Sequence, residues 1–335
     1  MITNDRPAPR DTRAAARRWA SRHGWTVGVW VLLLVLIAWY ATLIPEFGAF
    51  QITSIAKNSL PTVFLALSQA VVVIAGGVDL GVGALMVLSN SVSALLMEGQ
   101  SFGMTLIIAV AIVVGAALLN GVVGWVVVVS GIPDIVVTLA TLFIFTGVAL
   151  MVLPSPGGGT SGGLRYVFTG STVGVGSNYW PSIIAIVVPT LLFGAWLSRT
   201  RQGLSIYAIG SDTNAAYLSG ISVMRAKVVA YATGGGFAGL AGIALTAIAN
   251  SGDPRFINAV GGTLNSLAAV VLGGIVLGPP PRSAAMGPGG IRAIAGADPP
   301  RVFLIDGQGQ LRQEIGRTGS GPGDFQNISQ IGFTT

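Results

Sequence analysis

The sequence predicts an all-α polytopic membrane protein: about eight membrane-spanning helices, then a short irregular or β-hairpin-like C-terminal tail. Three observations carry that prediction. The 335-residue chain is 52% hydrophobic and only 9% charged, whereas a soluble domain carries about 25% charged residues. Its charges are clumped, leaving long stretches almost free of them. Two separate basic clusters also fall on one side of a bilayer when crossings are counted. With mean hydropathy +0.75, a soluble fold of this length would have too little polar surface to face water.

Residues 1–24 form a basic leader holding Arg6, Arg10, Arg13, Arg17, Arg18 and Arg22. The net charge of +6 is the kind of signal that nucleic-acid binding produces. Its concentration beside a first apolar run instead marks the cytoplasmic flank of a membrane helix, so no nucleic-acid partner is expected. His23, the one histidine, reads as interfacial. Trp25–Ile44 approaches the ~20 residues needed to cross a bilayer and exceeds the ~7–15 of a signal peptide. It ends in Pro45-Glu46 without a cleavage motif, so it reads as a retained first helix.

Further spans are expected at 59–75, 79–97, 104–129, 133–153, 181–198, 226–249 and 262–278. In lipid every backbone polar group must be bonded internally, so even Val126-Val127-Val128-Val129 should be helical. With the N-terminus inside, six crossings place 199–225 inside as well. Arg199, Arg201, Arg225 and Lys227 lie there, as the positive-inside rule expects. The Gly-rich stretch from Pro154 onward, with Arg165 as its one basic residue to position 180, falls outside. Gly234, Gly235, Gly236, Gly239 and Gly242 make a small-residue face suited to close helix packing. The chain has no cysteine, which excludes disulfides, thiolate nucleophiles and cysteine-held metals; neither a metal nor a cofactor is expected.

Two motifs stand out. In Ala75-Gly76-Gly77-Val78-Asp79-Leu80-Gly81-Val82-Gly83-Ala84 a carboxylate lies between two spans with glycines on both sides. A charge at membrane depth tends to face a cavity or a partner, and Gly-rich interruptions of membrane helices line substrate paths. The stretch therefore reads either as a broken helix beside a translocation pathway or as a short turn with Asp79 capping the next helix. No Gly-Lys-Ser/Thr follows, so it is no phosphate loop. In the second motif, Arg199 to Ile221, Asp212 can cap a helix over 213–219 and Gly220 can stop it. Such a helix can dock a soluble partner or rest on lipid, and its modest apolar face favours the protein partner.

Gly76-Gly77-Val78-Asp79-Leu80 with Gly81 and Gly83 resembles the glycine–aspartate signature of ribose/xylose-type ABC transporter permeases. Asn120-Gly121, Ile132-Pro133 and Ile135-Val136-Val137-Thr138-Leu139-Ala140-Thr141 resemble that family's next block. The 199–221 stretch with Lys227 and Ala238-Gly239-Leu240-Ala241-Gly242 resembles its coupling loop and following helix, and Ala268-Ala269-Val270-Val271-Leu272-Gly273-Gly274 a late block. The resemblance covers about 25–278, in order. It implies a permease, itself without an ATP site, that pairs with a second copy, cytoplasmic ABC ATPases and a periplasmic sugar-binding protein in a bacterial inner membrane. ATPase closure would push on 203–221, and alternating access would carry a ribose- or xylose-like sugar. The residues it implies for coupling are Gly203, Gly210, Asn214, Ala215, Ala216, Gly220 and Ile221. Those near the substrate pathway are Gly76, Gly77, Asp79, Gly81, Gly83 and Asn120, although Asn120 can equally serve only to bond a neighbouring helix.

After Gly278 the composition changes. Pro279-Pro280-Pro281-Arg282 ends the last span, and further membrane helices of the family are expected but do not follow. Arg301–Gln310 reads as a strand and turn, with Leu311–Ile315 its pairing strand. Ile315 to Phe325 resembles the junction of NHL-type β-propeller repeats. About one blade is present, and a lone repeat is expected to be poorly ordered. The tail is thus a propeller fragment on a truncated permease, an artefact of the sequence, or a small appendage. Two rivals to the importer remain: a truncated or chimeric remnant that does not transport, and an ion-coupled secondary transporter. The second would want several intramembrane charges as relays, and Asp79 is the chief one on offer. A membrane-anchored sensor would need a complete soluble domain after 278.

Overall fold

The computed structural model describes residues 12–44, 48–170, 178–273, 284–286, 292–297, 300–305, 311–315, 317–318 and 324–325. Arg6, Arg10, the Pro279–Arg282 stop and most of the 315–325 repeat junction lie outside the described residues. Eleven helices appear among those described: α1 (Thr12–Leu43), α2 (Ala49–Ile74), α3 (Val82–Met97), α4 (Phe102–Ser130), α5 (Asp134–Val152), α6 (Gly162–Thr169), α7 (Trp180–Arg199), α8 (Arg201–Ser211), α9 (Thr213–Leu218), α10 (Val223–Ala249) and α11 (Phe256–Leu272).

Each predicted span is a helix, so the all-α membrane class holds. The valine run sits inside α4, where bilayer bonding requirements override β propensity. Five helices, α2, α4, α5, α7 and α10, are individually long and apolar enough to cross a membrane. The apolar parts of α1, α3 and α11 are shorter. At about 1.5 Å per residue the 16 residues of α3 fall short of a ~30 Å hydrocarbon core; the coil at 75–81 makes up the difference.

Three boundaries depart from expectation. The first helix begins at Thr12 rather than 25, taking in part of the basic leader. The second helix begins at Ala49 rather than 59, because it continues through Gln51, Lys57, Asn58 and an interior Pro61. Hydropathy discounted those residues, but neighbouring elements can support a proline within a membrane helix. The last begins at Phe256 rather than 262, directly after Pro254-Arg255. Its predicted end, 274–278, lies outside the described residues. The stretch 199–221, expected to be a loop with one short helix, is two helices, α8 and α9. Thr200 caps α8 by accepting from the Gly203 amide at 3.1 Å.

The core centres on α3, buried almost all round, and on α10 packed against α2, α3 and α4. The predicted small-residue face of α10 performs this packing. A Cβ on Gly242 would lie 2.6 Å from the Cβ of Ser89, and one on Gly235 would meet the Ala116 carbonyl. Polar pins reinforce it: the Asn90 amide donates to Thr246 Oγ1 at 2.8 Å, a contact of the kind that holds membrane helices together. On the outer faces of α4, α5 and α7 large apolar side chains such as Leu118, Phe143 and Leu191 are exposed, as lipid-facing surface should be.

The helix ends sort into two sets. At one end, bearing Arg199, Arg201, Arg225 and Lys227, α8 meets the end of α2 and Lys227 bridges to Asp134. At the other, Gly157 and Gly252 exchange both backbone bonds, at 3.1 and 2.8 Å, and Arg165 Nε donates to the Ala247 carbonyl at 3.3 Å. These two regions lie at opposite ends of α10.

The tail carries more strand than the single expected hairpin. β1 (Ala284–Met286), β2 (Arg292–Ala297), β3 (Pro300–Ile305) and β4 (Leu311–Ile315) form one antiparallel sheet in chain order. The foreseen partners β3 and β4 pair with Val302 opposite Ile315. β5 (Arg317–Thr318) and β6 (Asp324–Phe325) make a short parallel pair.

Candidate translocation and coupling site

The glycine–aspartate segment is the break between α2 and α3. α2 ends in a turn that Gly76 enters at φ +79°, a left-handed conformation glycine adopts without a Cβ penalty. Asp79 then lies at 1% exposure. Its Oδ1 accepts from the Gly81 amide at 2.8 Å and its Oδ2 from the Asn120 side-chain amide at 2.9 Å. Asp79 therefore braces the entrance to α3, as the short-turn reading has it. Asn120 bonds a neighbouring helix, the same amide donating to the Tyr231 carbonyl of α10 at 2.9 Å.

The remaining glycines of the set are close-approach positions. A Cβ on Gly77 would collide with the Asp134 carboxylate, on Gly81 with the Thr141 hydroxyl, and on Gly83 with the Ala259 carbonyl. Thr138 Oγ1 donates to the Val78 carbonyl at 3.3 Å and Thr263 Oγ1 to the Leu80 carbonyl at 3.1 Å, satisfying acceptors the break frees. The six pathway candidates are thus brought together, where α2, α3, α4, α5, α10 and α11 converge.

Beside them lies a group the sequence reading did not assemble. Lys227 Nζ contacts both oxygens of Asp134 at 3.0 Å, and the Tyr231 hydroxyl donates to Asp134 Oδ2 at 3.1 Å. Both charged side chains are mostly buried, 19% and 16% exposed. Lys227 had been counted as a topology marker; the usable signal was an acid and a base of opposite sign, each opening a span.

The coupling candidates divide by orientation. Gly203, Gly210 and Ala216 are buried or half-buried and Ile221 packs against the core. Gly210 is pressed onto the end of α2: a Cβ there would collide with the Ile74 carbonyl, and Gly76 is the neighbour. A Cβ on Gly203 would collide with the Leu197 carbonyl of α7. Asn214 and Ala215 face outward, their amides donating to Asp212 Oδ1 at 2.9 Å each, the cap the sequence predicted. Gly220 stops α9 at φ +81°. Sequence reasoning missed Tyr217 and Leu218, 70% and 84% exposed on α9. An apolar pair closing a capped helix was the available signal.

Comparison with known proteins then bears on this geometry. Residues 51–289 match the family described as "Branched-chain amino acid transport system / permease component". The ribose import permease protein of Escherichia coli is 33% identical over 255 residues, covering 74% of this chain and 76% of that protein. The D-allose transport system permease protein of Escherichia coli is 30% identical over 255 residues, 74% of each. The xylose transport system permease protein of the same organism is 28% identical over 308 residues, 75% of each. No solved structure matches the chain.

Proposed function

Since the chain belongs to the branched-chain amino acid transport system permease family, we propose that it is the membrane-spanning subunit of a bacterial ABC importer for a monosaccharide of the ribose, allose or xylose class. In this reading it pairs with a second copy in the inner membrane. The end bearing Arg199–Lys227 and the N-terminus face the cytoplasm and an ABC ATPase, and the opposite end faces a periplasmic sugar-binding protein. Hydrolysis of ATP belongs to the partner.

The observation that supports this most directly is the seating of α8 on α2. The exposed surface of α8–α9, with Tyr207, Tyr217 and Leu218, is where a soluble partner would bear. The load path from it is short. Gly210 abuts the Ile74 carbonyl and Gly76, and Asp79, three residues on, is bonded through Asn120 to α4 and α10. A push on α8–α9 is thereby delivered to the break at 75–81, where the pathway candidates Gly76, Gly77, Asp79, Gly81, Gly83 and Asn120 gather. Packed, close-approach contacts of this kind move as rigid bodies rather than deform, which suits alternating access.

The test is to extract the chain from membranes, ask whether an ATPase subunit follows it, and measure ATP-dependent uptake of D-ribose, D-allose and D-xylose in proteoliposomes. ATPase retention with uptake of at least one sugar is expected. Gly203→Glu or Ala216→Glu should abolish uptake while membrane insertion persists. Unchanged uptake in both variants refutes the coupling assignment, and uptake driven by an ion gradient without ATP refutes the importer.

A further inference from the structure

Along α2 the polar side chains Ser54, Asn58, Thr62 and Gln69 form a stripe. At about 100° per residue they fall within roughly 80° of arc. The stripe changes character along its length. Asn58 and Thr62 are exposed and Ser54 half-buried; with Ser59 and with Tyr40 of α1 they line an open cavity of about 540 Å³. Two turns further on, Gln69 is wholly buried, and among the described residues neither atom of its amide has a hydrogen-bond partner. Between the two regions sits Leu65, buried, where α2, α3 and α11 close together. A Cβ on Gly262 would lie 3.1 Å from Leu65 Cδ1 and 3.0 Å from Met86 Cε.

The start of α11 explains the change. The loop before it reaches into the bundle, where the Asp253 amide donates to Asn90 Oδ1 of α3 at 2.8 Å. By Ala259 and Thr263 the helix is already beside Gly83 and Leu80. α11 therefore covers α2 toward the basic end and leaves the other half of the stripe open. Leu65 meets Gly262, and Ala70 and Val73 meet Val270, so the two helices run side by side in one direction. That register brings Gln69 level with Ser266, fully buried and donating to the Thr263 carbonyl at 2.8 Å. Pro61 adds a further acceptor, because it lacks the N–H that would have met the Lys57 carbonyl beside Asn58.

The Asn58 amide donates to Ser54 Oγ at 3.3 Å within the stripe, whereas the Gln69 amide, buried without a partner, is costly. The cost falls away if a hydrophilic solute travels the stripe and supplies the missing bonds. The stripe itself is uncharged and offers hydroxyls and amides, which give and take hydrogen bonds together. That fits a neutral polyhydroxylated solute better than an ion. We propose that the α2 stripe carries the sugar: Ser54, Asn58 and Thr62 line an outward-facing vestibule, Leu65 against Gly262 and Met86 closes it, and Gln69 is the hydrogen-bonding group reached when α11 moves off α2. This rests on the sugar-importer reading.

The chain has no cysteine of its own, so single thiols can be placed cleanly. Asn58→Cys, Thr62→Cys and Gln69→Cys are reconstituted with the ATPase and binding protein and exposed from the periplasmic side to a membrane-impermeant cationic methanethiosulfonate. Positions 58 and 62 should react at rest; position 69 should react only during ATP-driven turnover with D-ribose, D-allose or D-xylose. Gln69→Leu removes both unpaired groups, so it should fold at least as well as the parent yet lose about tenfold or more in uptake, the worth of one hydrogen bond. Parental uptake in Gln69→Leu, or silent thiols at 58 and 62 in a transporting parent, overturns the proposal. Reactive thiols at 58 and 62 in a parent that takes up none of the sugars would instead refute the importer reading and, with it, the solute assigned to the stripe.

Discussion

Replacing Asn120 by leucine isolates the bond that holds the helix break to the bundle. Asn and Leu share the same branching and number of side-chain heavy atoms, so the substitution leaves no cavity, and its cost is the lost hydrogen bonding plus the extra bulk of two methyl groups. The Asn120 amide donates to Asp79 Oδ2 and to the Tyr231 carbonyl, both at 2.9 Å. Asp79 is 1% exposed and Asn120 equally so, so water does not replace the lost donor. Removing the Asn120 donor leaves one buried Asp79 oxygen without that partner, which costs about 1–3 kcal/mol, while the Tyr231 carbonyl keeps its bond within α10. Asn120→Leu should therefore destabilise by about 2–3 kcal/mol. Asp79→Asn keeps one oxygen, which can accept from Gly81 or from Asn120 but not from both, so it should cost about 1–3 kcal/mol. In the double variant Asp79→Leu/Asn120→Leu both partners are gone but the Gly81 amide loses its acceptor too, so the loss should fall short of the sum of the two single leucine variants by about 1 kcal/mol. Equilibrium unfolding in mixed detergent–SDS micelles measures each. An Asn120→Leu variant within about 1 kcal/mol of the parent would refute the claim that this amide carries the break.

Three further outcomes follow from the contacts at the basic end. Lys227→Met strands Asp134 with the Tyr231 hydroxyl alone; the pair is partly solvated, so a loss of about 1–3 kcal/mol is expected in the same unfolding assay. Gly210→Leu must push α8 off the Ile74 carbonyl, costing about 1–3 kcal/mol by overpacking and uncoupling ATPase activity from uptake. Tyr217→Ala with Leu218→Ala touches exposed side chains, so stability should move by less than about 0.5 kcal/mol; ATPase co-purification should fall at least about tenfold. Retention of the ATPase by that variant would place the docking surface elsewhere.

Much of this site was legible along the chain because it is local. Asp212 with the amides two and three residues on, the left-handed stop at Gly220, and the interruption at Gly76–Gly83 depend on neighbours within one turn. The start of α2 was not legible. Lys57, Asn58 and Pro61 depress hydropathy, and the exposure of Asn58 depends on α11 leaving this half of α2 uncovered. The Asp134–Lys227–Tyr231 group joins residues about ninety positions apart, a pairing no local pattern contains. The glycines were read as permissive of close packing, but which atoms each admits, the Ile74 carbonyl at Gly210 or the Ala259 carbonyl at Gly83, is a property of the assembled helices.

By itself the sequence determined that the chain lives in a bilayer, how many apolar spans it has, and which of their ends lie together. Those follow from transfer free energies and backbone bonding, which act segment by segment and need no partner. The tertiary structure alone decided that Asp79 is a braced node rather than a free charge, that α8 bears on α2, and that one face of α2 is open at one half and sealed at the other. Burial and hydrogen-bond satisfaction are relations between segments, and they exist only once the helices have packed.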